Sequence, residues 1–301
     1  MNRGKVYIIL VNYGTPDDTL ECLDSLTKSR YTNFRVLIVD IQNINDSVNK
    51  INNRILNNGN LKCDLIQERN NNGFAFANNI AINRVLANND GEFIWLLNSD
   101  TVILDNTLEK LVDCYRENSK TGKIGFVGSK ILDYENRKII QNVGGTFNKW
   151  NGYSILTGMG EEDRGQYDKS IPKADYIVGA SMFFHISLVS HIGLMPEEYF
   201  LYYEDIDWSF AAKNAGFKNM VCPQSVVYHK QGVSTGSKLI SKSTFNINKK
   251  FLYSGYLMFY KKYFKHFLPV ARFILLKQWA GRVRHGNYKE ANEILKVLFN
   301  K

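Results

Sequence analysis

Cysteines are few and scattered: the 301-residue chain has four, Cys22, Cys63, Cys114 and Cys222, with no CxxC pair among them. That spacing excludes a Cys-built metal site and a dense disulfide framework. The four read as reduced thiols of a cytosolic protein, serving as small buried hydrophobes. Long apolar runs are also missing. The first run, Val6 to Val11, stops at Asn12 and is too short for a signal-peptide core with a cleavage site. Nowhere do about 18 apolar residues follow one another, so no spanning helix is expected and the protein should be soluble or peripheral. Acids are scarce at one end only. Residues 246–301 hold 12 Lys/Arg against 2 Asp/Glu, whereas the rest carries 26 against 27. The net charge of +9 therefore belongs to the tail. A body without a basic stripe of its own is not built to bind nucleic acid.

What is present suits a large folded unit. Apolar residues make up 44% and charged residues 22%, ordinary for a globular chain. The first hundred residues alternate strand and helix signals. Val6–Val11 is a continuous apolar run, as in a strand covered on both faces, and a helical stretch follows through Leu20, Leu23 and Leu26. Phe34–Val39 is a second strand ending at Asp40, and Lys62–Gln67 a weaker third. Asn71-Asn72-Gly73 precedes a helix from Ala75 to about Ala87, and Phe93–Leu97 is the fourth strand. This β-α-β-α-β-α-β order predicts a parallel sheet whose strand C-termini line one crevice. Beyond it the spacing predicts a helix over 104–120, a strand over Tyr176–His185 and short helices over Leu188–Ile192 and 206–216, the last stopped by Gly216.

Three constellations carry chemistry. Tyr13, Asp40 and Asn98-Ser99-Asp100 follow strand ends. Asp40 can accept from a pyrimidine N3–H, and Asp100 can hold Mg²⁺ or Mn²⁺ together with phosphate oxygens. Taken singly, each acid can equally be a turn or cap residue. Glu204, Asp205 and Asp207 put three carboxylates within four residues, set among aromatics. Mutual repulsion and apolar surroundings raise carboxylates toward the range of a working base, although one can cap the helix and another be solvated. His229 ends the apolar run Val226-Val227-Tyr228, either as a structural histidine or as a metal ligand.

In this order the motifs resemble the inverting family 2 glycosyltransferases of the GT-A fold, in their bacterial rhamnosyltransferase-like branch. Val11-Asn12-Tyr13 and Val39-Asp40 resemble the first two strand motifs, and Asn71 to Asn79 the Asn-x-Gly-Phe-Ala-x-x-Asn-Asn stretch. Leu96 to Asp100 is similar to Leu-Leu-Asn-Pro-Asp, a variant of Asp-x-Asp. Val178 to Met182 resembles the strand before the acceptor site, and Phe200 to Gly216 the Glu-Asp-x-Asp block. The likeness spans about residues 5 to 235.

The resemblance implies an α/β GT-A fold with a mostly parallel, Rossmann-like sheet. It implies a catalytic domain over 1–240, with nucleotide and acceptor halves meeting near 103/104, and a helical tail over 241–301. Tyr13, Asp40, Asn71, Gly73, Asn79, Asn98 and Asp100 would serve the nucleotide-sugar. Gly179, Ala180, Glu204 and Asp207 would serve the acceptor. Asp100 and His229 would hold Mg²⁺ or Mn²⁺, and Asp205 would be the base. The implied donor is dTDP-rhamnose or a UDP-hexose, and the acceptor a saccharide or a polyprenyl-diphosphate-linked glycan. Two departures are visible. Asn98 removes one charge from Asp-x-Asp, and Ser99 in place of Pro is expected to loosen the turn.

The tail interleaves aromatics with Lys261, Lys262, Lys265, Arg272, Arg282 and Arg284. That pattern suits a helix lying on the anionic inner leaflet of a membrane, which places the protein peripherally on its cytoplasmic face. A helical hairpin packed on the body would carry the same pattern. Two other functions remain open. A nucleotidyltransferase would need a Gly-rich basic loop after the first strand, which Asn12 to Asp18 lacks. A noncatalytic sugar-binding protein would lack the acids at 204, 205 and 207.

Overall fold

The computed structural model describes residues 4–57, 61–169, 174–230 and 242–299, without the side chains of Tyr153 and of 242–248. In chain order the elements are β1 (Val6–Asn12), α1 (Pro16–Leu26), β2 (Phe34–Ile41), α2 (Ser47–Asn57), β3 (Cys63–Glu68) and α3 (Phe74–Asn88). Next come β4 (Phe93–Leu97), β5 (Thr101–Ile103), α4 (Thr107–Ser119), β6 (Ile124–Asp133), β7 (Ile140–Asn142), β8 (Gly145–Asn148) and β9 (Tyr153–Leu156). The chain continues through β10 (Ser181–His185), α5 (Leu188–Ile192), α6 (Glu204–Asn214) and β11 (Lys218–His229). It closes with α7 (Lys242–Tyr263), α8 (Leu268–Arg284) and α9 (Tyr288–Phe299).

Nine strands form one sheet in the order β3-β2-β1-β4-β10-β6-β11-β5, with β7 on β6. β1 to β4 are mutually parallel, β10 inserts antiparallel between β4 and β6, and β11 runs parallel to β6. The strand alternation sorts side chains cleanly. Val6, Ile8 and Leu10 enter a core with Leu23, Leu26, Leu108 and Leu111, placing α1 and α4 on one face. Tyr7 and Ile9 enter the opposite core with Ala81, Ile82, Val85 and Trp208, placing α3 and α6 on the other. β1 lies between β2 and β4, so the order reverses there, and a crevice opens at the carboxyl ends of these strands. Asn12, Asp40 and Asn98 all sit at that edge. The sheet runs unbroken past residue 103, because β5 pairs with β11.

Some boundaries differ from the sequence reading. The helix expected from 104 begins at Thr107, whose hydroxyl accepts from Leu104 N–H and donates to Val226 O. Tyr176 makes only an isolated bridge with Gly145, and residues 177–180 are not strand. Two of the segment's amides go to side chains of α6, Ile177 N–H to Ser209 and Gly179 N–H to Asp205. α6 begins at Glu204 rather than 206, behind Tyr202 and Tyr203 at φ 67° and 73°. It ends as expected. Gly216, at φ 85°, donates to Lys213 O, and Phe217 N–H closes on Ala212 O. Pro269 lies in the first turn of α8, where a missing N–H costs nothing.

The tail packs on the body. Tyr176, Tyr203, Ile206 and Phe210 share a third core with Tyr256, Leu257, Phe259, Tyr260, Leu275 and Ile294. The boundary expected at 240/241 lies outside the described residues. No helix among the described residues is long and apolar enough to cross a membrane.

Candidate active site

The nucleotide side of the crevice is built on buried amides and acids. Asn12, fully buried, donates through Nδ2 to Asp40 Oδ1 at 2.5 Å and accepts from Thr19 at 2.8 Å. This ties β1 to β2 and α1. The second oxygen of Asp40 is buried with no partner, an acceptor left for a donor from outside the chain. Tyr13, the next residue after Asn12, is exposed. Asn12 itself went unremarked in the sequence beyond its motif. Its signal is a polar residue closing the apolar run Val6 to Val11.

Asn71 Oδ1 accepts from Gly73 N–H, shaping the turn before α3. Gly73 is required there. Its φ is +101°, and a Cβ would stand 2.2 Å from Phe200 O, which accepts from Phe74 N–H. The Phe74 ring in turn approaches Gly179, beside Asp205. Asn79 does not reach the nucleotide side: its amide is engaged by both Met195 backbone groups and Glu197. It anchors the 195–197 loop instead.

Asn98 N–H donates to Ala180 O, so the end of β4 and the turn before β10 are one unit. Ser99 does not loosen this turn. Its hydroxyl donates to Val11 O at 2.8 Å and fastens β4 to β1. Asp100 is buried, and its Oδ1 has no hydrogen-bond partner although His229 Nε2 faces it at 3.2 Å. Burial, the largest influence, acts to raise the Asp100 carboxyl, but the His229 ring, a backbone amide and the Lys230 charge together leave the acid below the usual range. An octahedral ion with ligands at about 2.1 Å holds neighbouring donors about 3.0 Å apart, so a carboxylate oxygen and an imidazole nitrogen at this separation fit Mg²⁺ or Mn²⁺. Among the described residues no three His, Cys, Asp or Glu side chains gather into a metal cluster. The chain thus offers a pair of ligands, leaving room for phosphate oxygens.

On the acceptor side, Asp205 sits in the first turn of α6, half-buried. Its Oδ2 accepts from Gly179 N–H at 2.9 Å and its Oδ1 from Ile206 N–H at 2.8 Å. Burial raises its pKa, and these amides partly restrain the rise. Glu204 is raised well above the ordinary value by burial and by the neighbouring Asp205 charge, and its Oε2 has no partner. Asp207 is different. Its buried carboxylate accepts from Tyr199 and Tyr263 hydroxyls and from Lys262, which commits it to the tail rather than to an acceptor.

This layout defines an α/β protein of GT-A type, with a crevice at the switch point of its sheet and an acidic start to α6. The family is equally plain: the family model "Glycosyl transferase family 2" matches residues 7–186, and the chain belongs to that family. Solved structures share the fold at low identity. The mannosyltransferase PcManGT from Pyrobaculum calidifontis, in complex with GDP-Man and Mn²⁺, is 13% identical, with a TM-score of 0.60 over 100% of this chain and 89% of that one. GalNAc-T7 with UDP, GalNAc and Mn²⁺ is 13% identical, with a TM-score of 0.60 over 83% of this chain and 48% of that one. S. aureus TarS is 18% identical, with a TM-score of 0.52 over 83% of this chain, which spans only 39% of TarS. No curated protein sequence matches the chain.

Proposed function

We propose that this glycosyltransferase is an inverting, metal-assisted enzyme. It moves a sugar from a dTDP- or UDP-linked donor to a hydroxyl of a saccharide or polyprenyl-diphosphate-linked glycan, in cell-surface polysaccharide synthesis. The observation that carries the reading is Asp205. It is an acid raised by burial and held by two backbone amides, one of them Gly179 N–H, next in the chain to the Ala180 whose carbonyl accepts from Asn98.

In this scheme the free oxygen of Asp40 accepts the N3–H of a uracil or thymine. Asp100 and His229 hold Mg²⁺ or Mn²⁺, which supplies positive charge for the departing diphosphate. Asp205 takes the proton of the acceptor hydroxyl. The hydroxyl oxygen bonds to the anomeric carbon as the bond from that carbon to the diphosphate oxygen breaks. The electron pair leaves with the nucleoside diphosphate, and one displacement inverts the configuration. L-Rhamnose from dTDP-rhamnose is the first donor proposed, on the resemblance of residues 71–100. A UDP-hexose is the second, favoured by the UDP and GalNAc in GalNAc-T7.

A thermal-shift panel of dTDP-, UDP- and GDP-sugars with and without Mn²⁺ identifies the donor by the largest metal-dependent shift. With that donor, Asp205→Asn is expected to abolish transfer and keep the thermal shift. Full transfer by the variant removes Asp205 as base.

A further inference from the structure

Gln141 lies in a part of the sequence that shows no motif. On β7, Asn142 pairs with Ile131 and Ile140 with Leu132, so Gln141 is the extra residue of a β-bulge. Bulges re-aim a side chain out of the ladder. Here the side chain meets the end of β11, where His229 pairs in register with Asp133 of β6.

The contacts orient the amide without ambiguity. Gln141 Nε2 donates to His229 O at 2.7 Å and to Asp133 Oδ2 at 3.3 Å. Its other end, the carbonyl Oε1, then faces His229 Nδ1 at 3.0 Å. An acceptor at Nδ1 calls for a proton there, and a neutral imidazole has only one proton to place. Its lone pair therefore falls on Nε2, 3.2 Å from the unpartnered Oδ1 of Asp100. That nitrogen also lies 3.4 Å from the Asn98 side-chain amide, and it is the one left open to a proton or to a divalent cation facing Oδ1. Backbone support holds the histidine in place, since Lys230 N–H, the next amide along, donates to Asp100 O at 3.0 Å.

We propose that Gln141 is a positioning residue that makes His229 a divalent-metal ligand through Nε2, by accepting the Nδ1 proton and clamping the histidine backbone. The inference rests on the Proposed function reading of Asp100 and His229 as the metal pair. Partners of this kind, one shell beyond the ligands, shift metal affinity by about 10- to 100-fold when removed.

The test is Mn²⁺ binding by the full chain, read from the electron paramagnetic resonance of free Mn²⁺ with UDP or dTDP present. Electron spin echo modulation from imidazole nitrogen in the bound state is recorded alongside. Gln141→Met keeps the length and removes both the acceptor and the donor. It is expected to weaken Mn²⁺ by about 10- to 100-fold, to shift the modulation of the remote nitrogen, and to leave the melting temperature near that of the parent. Gln141→Glu combined with Asp133→Asn restores an acceptor for Nδ1 and relieves carboxylate repulsion, so affinity should return to within about threefold of the parent. If Gln141→Met binds Mn²⁺ as the parent does while His229→Ala does not, the role of Gln141 is refuted and His229 survives as a ligand. If His229→Ala also binds normally, or the parent shows no imidazole modulation, the metal reading falls and takes this inference with it.

Discussion

Tyr263, on the tail helix α7, donates its hydroxyl to Oδ1 of Asp207, on α6, at 2.7 Å. Lys262 reaches the same oxygen at 2.9 Å, and Tyr199 holds the other at 2.8 Å. A buried carboxylate so satisfied couples the tail to the helix that carries Glu204 and Asp205. Close packing repeats the link two turns earlier in the tail, where a Cβ on Gly255 would stand 3.0 Å from the Tyr203 ring and 3.3 Å from Tyr202 O.

Tyr263→Phe is therefore expected to destabilise the protein by about 1–3 kcal/mol, because one donor to a buried acid is lost while Tyr199 and Lys262 remain. Urea denaturation measures this. Removal of residues 242–299 should go further and leave no folded catalytic body, since Tyr203, Ile206 and Phe210 would lose the core they share with the tail. A truncated chain that unfolds cooperatively at parental urea concentrations would contradict the coupling.

Glu204 gives a pH signature. Its folded pKa is raised well above the ordinary value of 4.5, by burial first and the Asp205 charge second. The folded state then binds a proton that the unfolded state releases near the ordinary value. This group's stabilising contribution is complete below about pH 4.5 and is lost as pH rises toward and through the raised value. Glu204→Gln keeps the shape and cannot ionise. Melting temperatures measured from pH 4 to pH 9 should show the variant gaining on the parent as pH increases. Parallel curves would mean that Glu204 titrates normally.

Gly73→Ala tests the link between the turn before α3 and the acceptor side. The added Cβ meets a backbone carbonyl, Phe200 O, rather than a flexible side chain, and the backbone there sits at φ +101°. Strain of this kind costs on the order of 1–3 kcal/mol, and the clash adds to it by pushing the 200–203 turn away. Lower stability is expected together with a fall in transfer rate, because Tyr202 and Tyr203 set the start of α6. A parental melting temperature would show that the turn yields freely.

How much was legible follows from how far apart the partners lie. β1, β2 and β4 announce themselves because each is an apolar run that closes at or beside Asn12, Asp40 and Asn98, whereas β3, half-buried and interrupted by Asp64 and Gln67, is the weakest signal. The strand end at Asp100 and the acids from 204 to 207 were equally visible as residue types. What they touch was not. Asp207 looks like its neighbours Glu204 and Asp205, yet its donor Tyr263 lies 56 residues on. Asn79 reads as part of a binding stretch, but Met195 and Glu197 claim its amide from 116 and 118 residues away. The 176–180 segment has strand composition, yet Ile177 and Gly179 turn their amides to side chains of α6 instead of a neighbouring strand. Gln141 carries no local signal at all, since a bulge is a property of two strands together.

The tail's outer face is cationic and partly apolar. α8 contains no acid, and Arg272, Phe273, Leu276, Lys277, Ala280 and Arg284 share its exposed side at helical spacing. The two tail acids are turned to other uses: Glu290 is buried against Lys249 and Arg282, and Glu293 pairs with Lys296. An apolar ridge with Phe273 61% and Leu276 42% exposed, flanked by unopposed cations, fits the surface of an anionic bilayer. Because the tail is also part of the folded core, surface changes test this better than truncation. Full-length protein should float with vesicles containing phosphatidylglycerol and not with phosphatidylcholine alone. Neutralising Arg272, Lys277 and Arg284 to Gln removes about 1 kcal/mol per charge, on the order of a hundredfold in partitioning overall. Phe273→Ser with Leu276→Ser should release the protein as well, and neither variant should alter transfer to a water-soluble acceptor. Flotation that survives both sets of changes would move the membrane contact off α8.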